Sequence, residues 1–553
     1  MLRPDLGNHA QMNKSSPEAA PLDLQDHLAR LEAHGLLVRV DRPINKDTEL
    51  HPLVRWQFIG GLPEDARRAF LFTNVVGARG EKYDMPVVIG ALAASQQIYA
   101  MGMGVAVEDI GEAWMRAIRA PIAPISIADA PCQEVVITGE EIRKSGGLSR
   151  LPVPISTPGF DAAPYLTATV CVTQDPETGV RNLGTYRGGL KDIDRLGVRM
   201  AARLGGAGGY LHWLKYKKLG KPMPCAIVVG CTPVIAYTGP QKVAIGLDEM
   251  AIAGGLAGRP MRVTKAKTID LEIPADAEIV IEGLIDTDLL EPEGPFGESH
   301  GHVALEDYNM SMRVTAITHR RKPVFASIIS EVTPSESSVL KKSAYEALYL
   351  DHLKTQMEVR GVTRVVMHEP LTNLRKVIFV QYAQGTPQTE VWRGMHGAAN
   401  LQAQCGKIVI AVSQDIDPSN TDAVFWSMAY RADPIVDALL LPYRSGGHGP
   451  KAGGGGGDST LLIDATLKHP TSPLALPAKP FMENAKKIWE ELGLPRIVPQ
   501  SPWHGYSLGD WSAQWQTFAD NAVKGDWGQN GENTYARRRG GLTPETPVRN
   551  VEK

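Results

Sequence analysis

At about 150 residues per domain, the chain of 553 residues is long enough for three or four domains. Its composition, 43% hydrophobic and 22% charged, is typical of a soluble globular enzyme, and the net charge of −3 gives no reason to expect nucleic acid or an anionic membrane as a partner. No apolar run approaches the roughly 20 residues of a membrane helix, and the five scattered cysteines form no CxxC pair, so we expect a cytoplasmic protein with free thiols.

The N-terminal part of the chain alternates between helix and strand patterns. Residues 1–21 are polar, and we expect them to be disordered. Asp23 has the side chain of an N-cap residue, and it precedes a helical stretch with leucines on one face. Residues 36–40 then form a strand pattern, and the alternation continues to about residue 125. We therefore predict a first α/β domain over residues 22–128.

The middle of the chain, residues 129–332, is dominated by short β-rich runs. A turn sequence at Asp175 to Gly179 separates two of them. Many short strands with turns favour a barrel or a sandwich. The predicted strands are 134–138, 165–173, 226–230, 261–273, 278–285, 313–318 and 324–329.

After residue 332 the pattern returns to alternating helices and strands. We predict a connecting helix within 333–360 and a second α/β domain over 361–500, followed by a C-terminal extension, 501–553. The stretch after Lys524 is polar and basic, so we expect a mobile tail. The predicted strands here are 364–367, 376–382 and 408–412, with a helix at 390–402.

Two short segments carry side chains suited to acid–base chemistry and ligand binding. Glu293-Gly-Pro-Phe-Gly-Glu298 is a loop in which glycine and proline prevent a helix, and two carboxylates in unequal surroundings suit proton transfer. Asn182 begins a second segment, Asn-Leu-Gly-Thr-Tyr-Arg, in which the amide oxygen suits a hard cation and the Arg187 fork suits a carboxylate. Taken alone, an acidic turn and a solvated arginine are the more common explanations of such residues.

A glycine-rich stretch, Gly446 to Gly457, includes Lys451. Backbone N–H groups and a lysine together can hold a phosphate, although the Gly-Lys-Ser/Thr of a P-loop is absent and a flexible linker is an equal alternative. A second cluster, Gly205 to Gly209, does not fit the GxGxxG pattern of dinucleotide-binding proteins.

The order and spacing of these segments, with Asp248-Glu249 between them, resemble the UbiD decarboxylase family from about residue 22 to about residue 500. The Glu-Gly-Pro-Phe-Gly-Glu stretch is the most diagnostic part of that resemblance. The resemblance implies an α+β multidomain fold: an N-terminal α/β domain, a central split β-barrel like that of flavin reductases, and a C-terminal α/β domain that forms oligomers. It also implies prenylated FMN as cofactor, supplied by a separate flavin prenyltransferase, with a divalent metal, usually Mn²⁺, and often K⁺.

The resemblance assigns roles to individual residues. Asn182 and Glu249 match metal ligands, and Lys451 matches the lysine of the phosphate loop. Thr185, Tyr186 and Arg187 match the segment that lines the flavin. Arg187, Glu293 and Glu298 match a catalytic Glu-Arg-Glu network in which Glu298 is the proton donor.

One segment departs from the family pattern. Several relatives carry a histidine a little over twenty residues after the metal-binding asparagine, whereas this chain has Ala202, Arg203, Leu204 and Gly205 there. We expect this segment to contact the cofactor, with Arg203 at the flavin phosphate, which leaves the third protein ligand of the metal open. His212 is the nearest histidine, and beside Trp213 it is better explained as a packing residue. His300 and His302 are best explained as structural, although either could shape the substrate pocket.

The implied reaction is the reversible removal of a carboxyl group from an aromatic or α,β-unsaturated acid by a homo-oligomer, a dimer or hexamer. An aromatic acyl-CoA such as phthaloyl-CoA is an alternative substrate, because the basic stretch Lys215 to Lys221 could meet a CoA phosphate, although a solvated helix face is the better explanation of that stretch. Two alternatives belong to other classes: a plain FMN oxidoreductase, which would need an NAD(P)H site, and a non-catalytic subunit of a larger carboxylase.

Overall fold

The computed structural model describes residues 19–201, 207–241, 243, 247–368, 375–402, 405–445, 457–469, 471–495, 497, 510–544 and 546–548. Within these residues the chain forms a mixed α/β protein whose three regions follow the predicted order. In this described part no helix combines the length and the apolar character needed to cross a bilayer.

The N-terminal region begins as predicted. Asp23 caps the first helix, its carboxylate accepting the Asp26 N–H at 2.8 Å, and Gly35 ends that helix with φ +66°. The elements of this region are α1 Leu24–Ala33, β1 Leu37–Val40, β2 Ile44–Asn45, α2 Leu50–Ile59, β3 Ala69–Phe72, β4 Val75–Val76, β5 Lys82–Tyr83, β6 Val87–Ile89, α3 Gln96–Met103, α4 Ile110–Arg119 and β7 Ile125–Ser126.

The central region is built on one large antiparallel sheet, and its described residues also form four α-helices. Its elements are β8 Val135–Thr138, α5 Glu140–Lys144, β9 Tyr165–Leu166, β10 Thr169–Gln174, β11 Arg181–Gly184, β12 Gly188–Asp192, β13 Arg195–Val198, α6 Gly208–Lys218, β14 Met223–Val229, α7 Pro233–Thr238, α8 Glu249–Ala257, β15 Arg262–Lys265, β16 Glu272–Pro274, β17 Ile279–Glu293, β18 Phe296–Gly297, β19 Val303–Ala304, β20 Asp307–His319 and β21 Phe325–Ser327.

Both faces of the large sheet are buried. The strand order is β11-β10-β14-β17-β20-β13-β12-β9, with β8 added on β20. Along β14, Ile227 and Val229 face one hydrophobic core, whereas Ala226 and Val228 face another. This alternation follows from the two-residue period of a strand and explains why the run is apolar on both faces. Among the described residues the strand path stays open, with β11 and β9 at opposite ends, so no closed barrel is found.

Two runs predicted for the central region pair with strands of the N-terminal region. Strand β21, predicted within the central domain, pairs in parallel with β6 and completes the N-terminal sheet β1-β3-β6-β21. The predicted run 261–273 is two strands, β15 and β16, and β15 pairs with β7 of the N-terminal region. A strand pattern reports which faces are apolar and carries no information about the partner strand, so these pairings could not be derived locally.

The C-terminal region has a five-stranded sheet, ordered β22-β23-β24-β26-β25, with hydrophobic cores on both faces. Its predicted strands and the helix at 390–402 are confirmed within a few residues. The elements are α9 Glu336–Asp351, which continues as a π-helical turn His352–Gln356, β22 Val362–Met367, β23 Val377–Tyr382, α10 Gln388–Asn400, β24 Ile408–Ser413, α11 Thr421–Arg431, β25 Ala438–Arg444, β26 Asp458–Ala465, α12 Lys479–Glu491, α13 Ala513–Lys524 and α14 Trp527–Ala536.

Helix α9 joins the regions through one buried side chain. Ser335 caps the helix, and the carboxylate of Glu336 accepts the N–H groups of Gly90, Leu92 and Ala93 at 2.9–3.2 Å. These donors belong to the loop after β6, so the start of α9 is fixed to the N-terminal region.

The stretch after Lys524, expected to be a mobile tail, contains helix α14. It packs against α13, and both helices expose aromatic side chains, including Trp515 and Trp527. Polar composition predicted an irregular chain here because it could not show this local helix–helix packing.

Candidate active site

Arg187 lies between two buried carboxylates. It follows the predicted hairpin of β10 and β11 and directly precedes β12. Its Nε and Nη2 each donate to Glu293 at 2.8 Å, and its Nη1 donates to Glu298. The bond to Glu293 is the bidentate geometry that only a planar guanidinium provides, so Arg187 fixes both carboxylates relative to each other.

Backbone geometry places the two carboxylates close together. Glu293 ends the long strand β17, whose neighbour β20 contributes Asn309, an amide donor to Glu293 at 3.1 Å. Gly294 has φ +118°, a conformation that glycine adopts far more easily than other residues, and the chain turns there towards β18. Glu298 follows β18, and its N–H donates to the His302 carbonyl at 3.1 Å. The spacing of five residues therefore spans one turn and one short strand.

Two aromatic rings cover the guanidinium. The Arg187 Cζ lies 4.4 Å from the Phe296 ring centre and 5.9 Å from that of Tyr165. Burial alone would lower the pKa of Arg187, but hydrogen bonding to Glu293 and the charges of Glu298 and Glu293 raise it. Burial, reinforced by Glu293, likewise raises the pKa of the Tyr165 phenol. The arginine is thus held charged in a mostly dry environment.

This arrangement can hold and transfer a proton. Arg187 donates to both carboxyl groups, and Glu293 also accepts a hydrogen bond from the Asn309 amide. Two acids with unequal environments can hold different protonation states at one pH. Glu298 is the more exposed of the two, with 11% of its side chain accessible against 1% for Glu293, so Glu298 is the acid that a ligand can reach.

Asn182 is held beside a glycine pair at the start of α6. Its Nδ2 donates to the Tyr186 hydroxyl at 3.3 Å, and the Gly209 N–H donates to the same oxygen at 3.1 Å. A Cβ at Gly208 would collide with Asn182 Oδ1, so glycine is required there. Burial raises the pKa of Tyr186 to about 12, which keeps its phenol neutral. Tyr186 therefore orients the Asn182 amide.

Glu249 is buried beside β11. It is the first residue of α8, with Asp248 as N-cap, and its Oε2 accepts the Leu183 N–H at 3.2 Å. Burial raises the pKa of Glu249 to about 7, and the charge of Arg181 only partly opposes this. Since Leu183 adjoins Asn182, the structure brings Glu249 to the backbone next to Asn182.

The structure brings together some of the sequence-assigned residues. Arg187, Glu293 and Glu298 form one bonded group. Asn182 lies on β11 and bonds to Tyr186, and Glu249 bonds to the next residue of that strand, Leu183. Thr185 lies between these groups with an exposed side chain. Within the described residues no cluster of three or more His, Cys, Asp or Glu is arranged to hold a metal. The assigned cofactor contacts Ala202, Arg203, Leu204, Gly205 and Lys451 lie outside the described residues.

His212 has the packing role that we expected, whereas the roles of His300 and His302 stay a prediction. His212 is buried, and its Nδ1 is 3.0 Å from the Thr173 hydroxyl, so it packs and bonds within the fold. The His302 N–H donates to His300 Nδ1 at 3.2 Å, which shapes the loop after Glu298.

Sequence reasoning missed several residues of the site. Tyr165 comes from β9 and Asn309 from β20, both outside the motifs noted in the sequence. Asp161 accepts the Gly297 N–H at 2.8 Å. Lys341 on α9 is a further group: burial, with Arg375 nearby, lowers its pKa to about 8, and the charge of Glu298 opposes this. None lies in a motif, so only the tertiary structure could reveal them.

Comparison with known proteins gives a consistent result. Three family profiles match successive parts of the chain: the N-terminal (28–118), Rift-related (125–332) and C-terminal (338–465) domains of 3-octaprenyl-4-hydroxybenzoate carboxy-lyase. An uncharacterized Synechocystis protein, sll0936, is 29% identical over 509 residues, which cover 86% of this chain and 97% of that protein.

Solved structures agree with the family profiles. The UbiD-class enzyme HmfF from Pelotomaculum thermopropionicum, in complex with prFMN, has a TM-score of 0.71 and 28% identity, over 82% of this chain and 97% of its own. Vanillic acid decarboxylase from Sedimentibacter hydroxybenzoicus has the same TM-score and 26% identity, over 85% and 99%. Fold, site and comparisons define an enzyme of the carboxy-lyase class, a decarboxylase. The chain belongs to the UbiD family.

Proposed function

We propose that the protein catalyses the reversible, non-oxidative decarboxylation of an aromatic or α,β-unsaturated carboxylic acid with prenylated FMN as cofactor. The observation that carries this proposal is the buried Glu293–Arg187–Glu298 group, in which one arginine holds two acids. Support for the cofactor comes from the HmfF relatives, which are described in complex with prFMN and with FMN.

In the proposed reaction, the protein supplies the proton that replaces CO₂ on the substrate. Glu298, protonated before the reaction, would deliver its proton to the carbon that loses CO₂, and Arg187 would hold the resulting carboxylate. Glu293, bonded by Arg187 and Asn309, would keep the guanidinium oriented throughout. When bound, the flavin would supply the electron sink that no side chain offers for the departure of CO₂ from an unsaturated carbon.

The residues present fit a hard divalent cation. Asn182 offers an amide oxygen and Glu249 a buried carboxylate, which are the oxygen ligands that Mn²⁺ accepts. The positive charge of a bound cation would also offset the cost of a buried negative charge, which raises the pKa of Glu249 to about 7. We propose Mn²⁺ at these two residues, completed by the flavin phosphate, with K⁺ as a further ion. Thr185, Tyr186 and Arg187, with residues 202–205 and Lys451, are proposed to contact the flavin.

We propose that the open central sheet is a split barrel, whose end strands, β11 and β9, are not paired with each other.

We also propose that the protein is cytoplasmic, because its five cysteines are all buried and form no disulfide.

A homo-oligomer through the C-terminal region is proposed as well. The edge strand β25 exposes Leu440 and Tyr443, and the preceding loop exposes Ile435 and Val436. An exposed apolar edge of this kind favours association. Light scattering should give a dimer or hexamer for the wild type and a smaller particle for Leu440→Asp; identical masses would refute this interface.

The acyl-CoA alternative gains no support from the basic stretch. Lys215 is paired with Asp175 at 2.7 Å and Glu177 at 2.8 Å, and Lys217 lies over the Trp213 ring. These contacts are those of a solvated helix face, so a free acid is the substrate class that we propose.

The test is co-expression with a flavin prenyltransferase and anaerobic purification, followed by cofactor mass and spectrum and CO₂ release from a panel that includes vanillate, 3,4-dihydroxybenzoate and cinnamate. We expect prenylated FMN and turnover in the wild type and in the exposed-site control Glu306→Gln, with turnover lost in Glu298→Gln. Steady NADH oxidation would favour the oxidoreductase alternative, and folded protein without flavin would favour the non-catalytic one.

A further inference from the structure

The proposed metal ligand Glu249 reaches β11 from the first turn of α8. Strand β11 is at the end of the large sheet, and the Leu183 N–H donates to Glu249 Oε2 at 3.2 Å. Glu249 is the first residue of the helix, and the preceding Asp248 caps it by accepting the Met250 N–H at 2.9 Å. The position of the Glu249 carboxylate next to Asn182 therefore depends on how the start of α8 is held against β11.

The later part of α8 is fixed by the N-terminal region. The Ile122 N–H donates to the Ala251 carbonyl at 2.9 Å. A Cβ at Gly255 would lie 2.9 Å from the Cα of Ala117, which is too close for the two atoms, so glycine allows α8 to pack tightly on α4. These contacts hold the helix against the N-terminal region, but they do not fix its first residue relative to Asn182 on the central sheet.

Arg181 joins the start of α8 to the central sheet. It lies on β11, directly before Asn182 and two residues before Leu183. Its Nη2 donates to Glu272 Oε2 of β16 at 2.8 Å. Its Nη1 lies 3.8 Å from Asp248 Oδ2, close enough for an ion pair but too far for a hydrogen bond. Only 14% of its side chain is exposed, so one mostly buried guanidinium links β11, β16 and the cap of α8.

We propose that Arg181 is a positioning residue of the metal site and keeps Glu249 beside Asn182. It does so by holding Asp248 and Glu272 together at the edge of β11. This inference rests on the Mn²⁺ site of the proposed function. A guanidinium has no lone pair to offer a cation, so Arg181 acts only through the two acids that it holds. Residues that orient the ligands of a metal typically change its affinity about 10- to 100-fold when they are replaced.

The charge of Arg181, taken alone, predicts the opposite effect on the metal. This positive charge acts on Glu249 and would also repel a cation bound there. If repulsion were its only influence, removal of the guanidinium would strengthen the binding of Mn²⁺. If the placement of Glu249 depends on Arg181, removal weakens the binding instead. The sign of the change in Mn²⁺ affinity therefore decides between the two explanations.

The first experiment measures the binding of Mn²⁺ to the full chain with FMN present. The electron paramagnetic resonance signal of free Mn²⁺ falls as the ion binds, which gives a dissociation constant without any turnover. We expect that constant to rise roughly ten-fold or more in Arg181→Met. The matched control is Arg320→Met, because Arg320 is equally buried, with 13% of its side chain exposed, and bridges two acids outside the site, Asp23 and Glu278. Its dissociation constant should equal that of the wild type.

The second experiment asks whether Arg181 acts through Glu272. The double variant Arg181→Met/Glu272→Gln should bind Mn²⁺ as Arg181→Met does, because Glu272 no longer has a guanidinium to hold. Losses that add in the double variant would contradict this route. Denaturant unfolding of Arg181→Met should show only a small loss of stability, since the side chains of Glu272 and Asp248 are 37% and 31% exposed. A large loss of Mn²⁺ affinity with nearly unchanged stability is the result that a merely structural role would not produce.

The outcomes separate this inference from the proposed function. Equal binding of Mn²⁺ by the wild type and Glu249→Gln would refute the proposed metal site, and this inference with it. Loss of Mn²⁺ in Glu249→Gln, together with unchanged or tighter binding in Arg181→Met, would refute the inference alone. A loss of the same size in Arg320→Met would show a general effect of removing a buried arginine, and it would also refute the role of Arg181.

Discussion

The two buried histidines of the N-terminal region are neutral, whereas the buried Arg187 group of the central region is charged. In the N-terminal region, His27 and His51 are 0% and 1% exposed, and burial lowers their pKa values to about 4 and about 3. Each has one hydrogen-bonded ring nitrogen: His27 Nε2 donates to the Ala91 carbonyl at 2.7 Å, and His51 Nε2 is 3.0 Å from the Ser327 hydroxyl. In the central region, Arg187 and its two glutamates are buried with their charges compensated.

The difference shows how burial can either fix a proton or leave it movable. A neutral histidine bonded to a carbonyl has one protonation state at every pH near 7. An arginine between two acids stabilises a carboxylate at either position, so a proton can leave Glu298 without stranding a bare charge. We therefore place the proposed proton chemistry at the Arg187 group, where the charges are compensated.

The largest effect that would sharpen this comparison is expected for Glu298→Gln. The amide keeps the shape and a hydrogen bond to Arg187 but has no proton to give, so turnover should fall by about 10²- to 10⁴-fold. Flavin content and melting temperature should stay close to those of the wild type. Near-normal turnover would show that the proton comes from another group.

Removing Arg187 should convert the compensated region into an uncompensated one. Arg187→Met leaves two buried carboxylates without their cation, and loss of one partner of a buried pair costs about 3–5 kcal/mol of stability. The matched control is Arg195→Met, whose pair with Glu291 is partly exposed and is worth about 1 kcal/mol or less. Denaturant unfolding measures both. Equal losses in the two variants would contradict the special role of the buried pair.

Glu249 offers an intermediate case, a buried acid that we expect to gain its compensating charge from a metal. With FMN present, Mn²⁺ at about 100 times its dissociation constant should stabilise the wild type by about 2.7 kcal/mol. Glu249→Gln should lose this increment and retain less Mn²⁺ after gel filtration, whereas Glu306→Gln should behave as the wild type. An unchanged increment in Glu249→Gln would exclude it as a ligand.

The smallest effect concerns His27. Because its folded pKa of about 4 lies below that of the unfolded chain, near 6.5, its contribution to stability is complete above pH 6.5 and declines as the pH falls. By pH 5 the loss amounts to about 2 kcal/mol. His27→Gln keeps a donor for Ala91 and should remove that part of the acid sensitivity, measured as the difference in unfolding free energy between pH 7 and pH 5. Parallel pH profiles would refute the neutral-histidine explanation.

The sequence predicted the helix and strand patterns better than their partners. The N-cap at Asp23, the hairpin before Asn182 and the C-terminal strands depend on local residues, and the structure has them. The pairing of β21 with β6 depends on contacts between distant segments, which a local pattern does not encode.

The same limit applies to the site. Arg187, Glu293 and Glu298, from two separate segments, were assigned together by the resemblance to the UbiD family, and the structure brings them into contact. Tyr165, Asn309 and Lys341 come from three separate parts of the chain and have ordinary neighbours in sequence. A residue that acts by its position in the fold, with no motif around it, can be found only once the fold is known.

The buried carboxylate of Glu336 has a consequence for chimeric proteins built by exchanging parts between relatives. A crossover at residue 332, at the end of the central region, would bring in a foreign α9 and risk the three bonds to Gly90, Leu92 and Ala93. A crossover after Asp351, where α9 gives way to its π-helical turn, would keep those bonds within one parent. A segment exchanged between relatives should therefore include α9 and end after Asp351, one helix later than the boundary at residue 332 that the sequence pattern indicates.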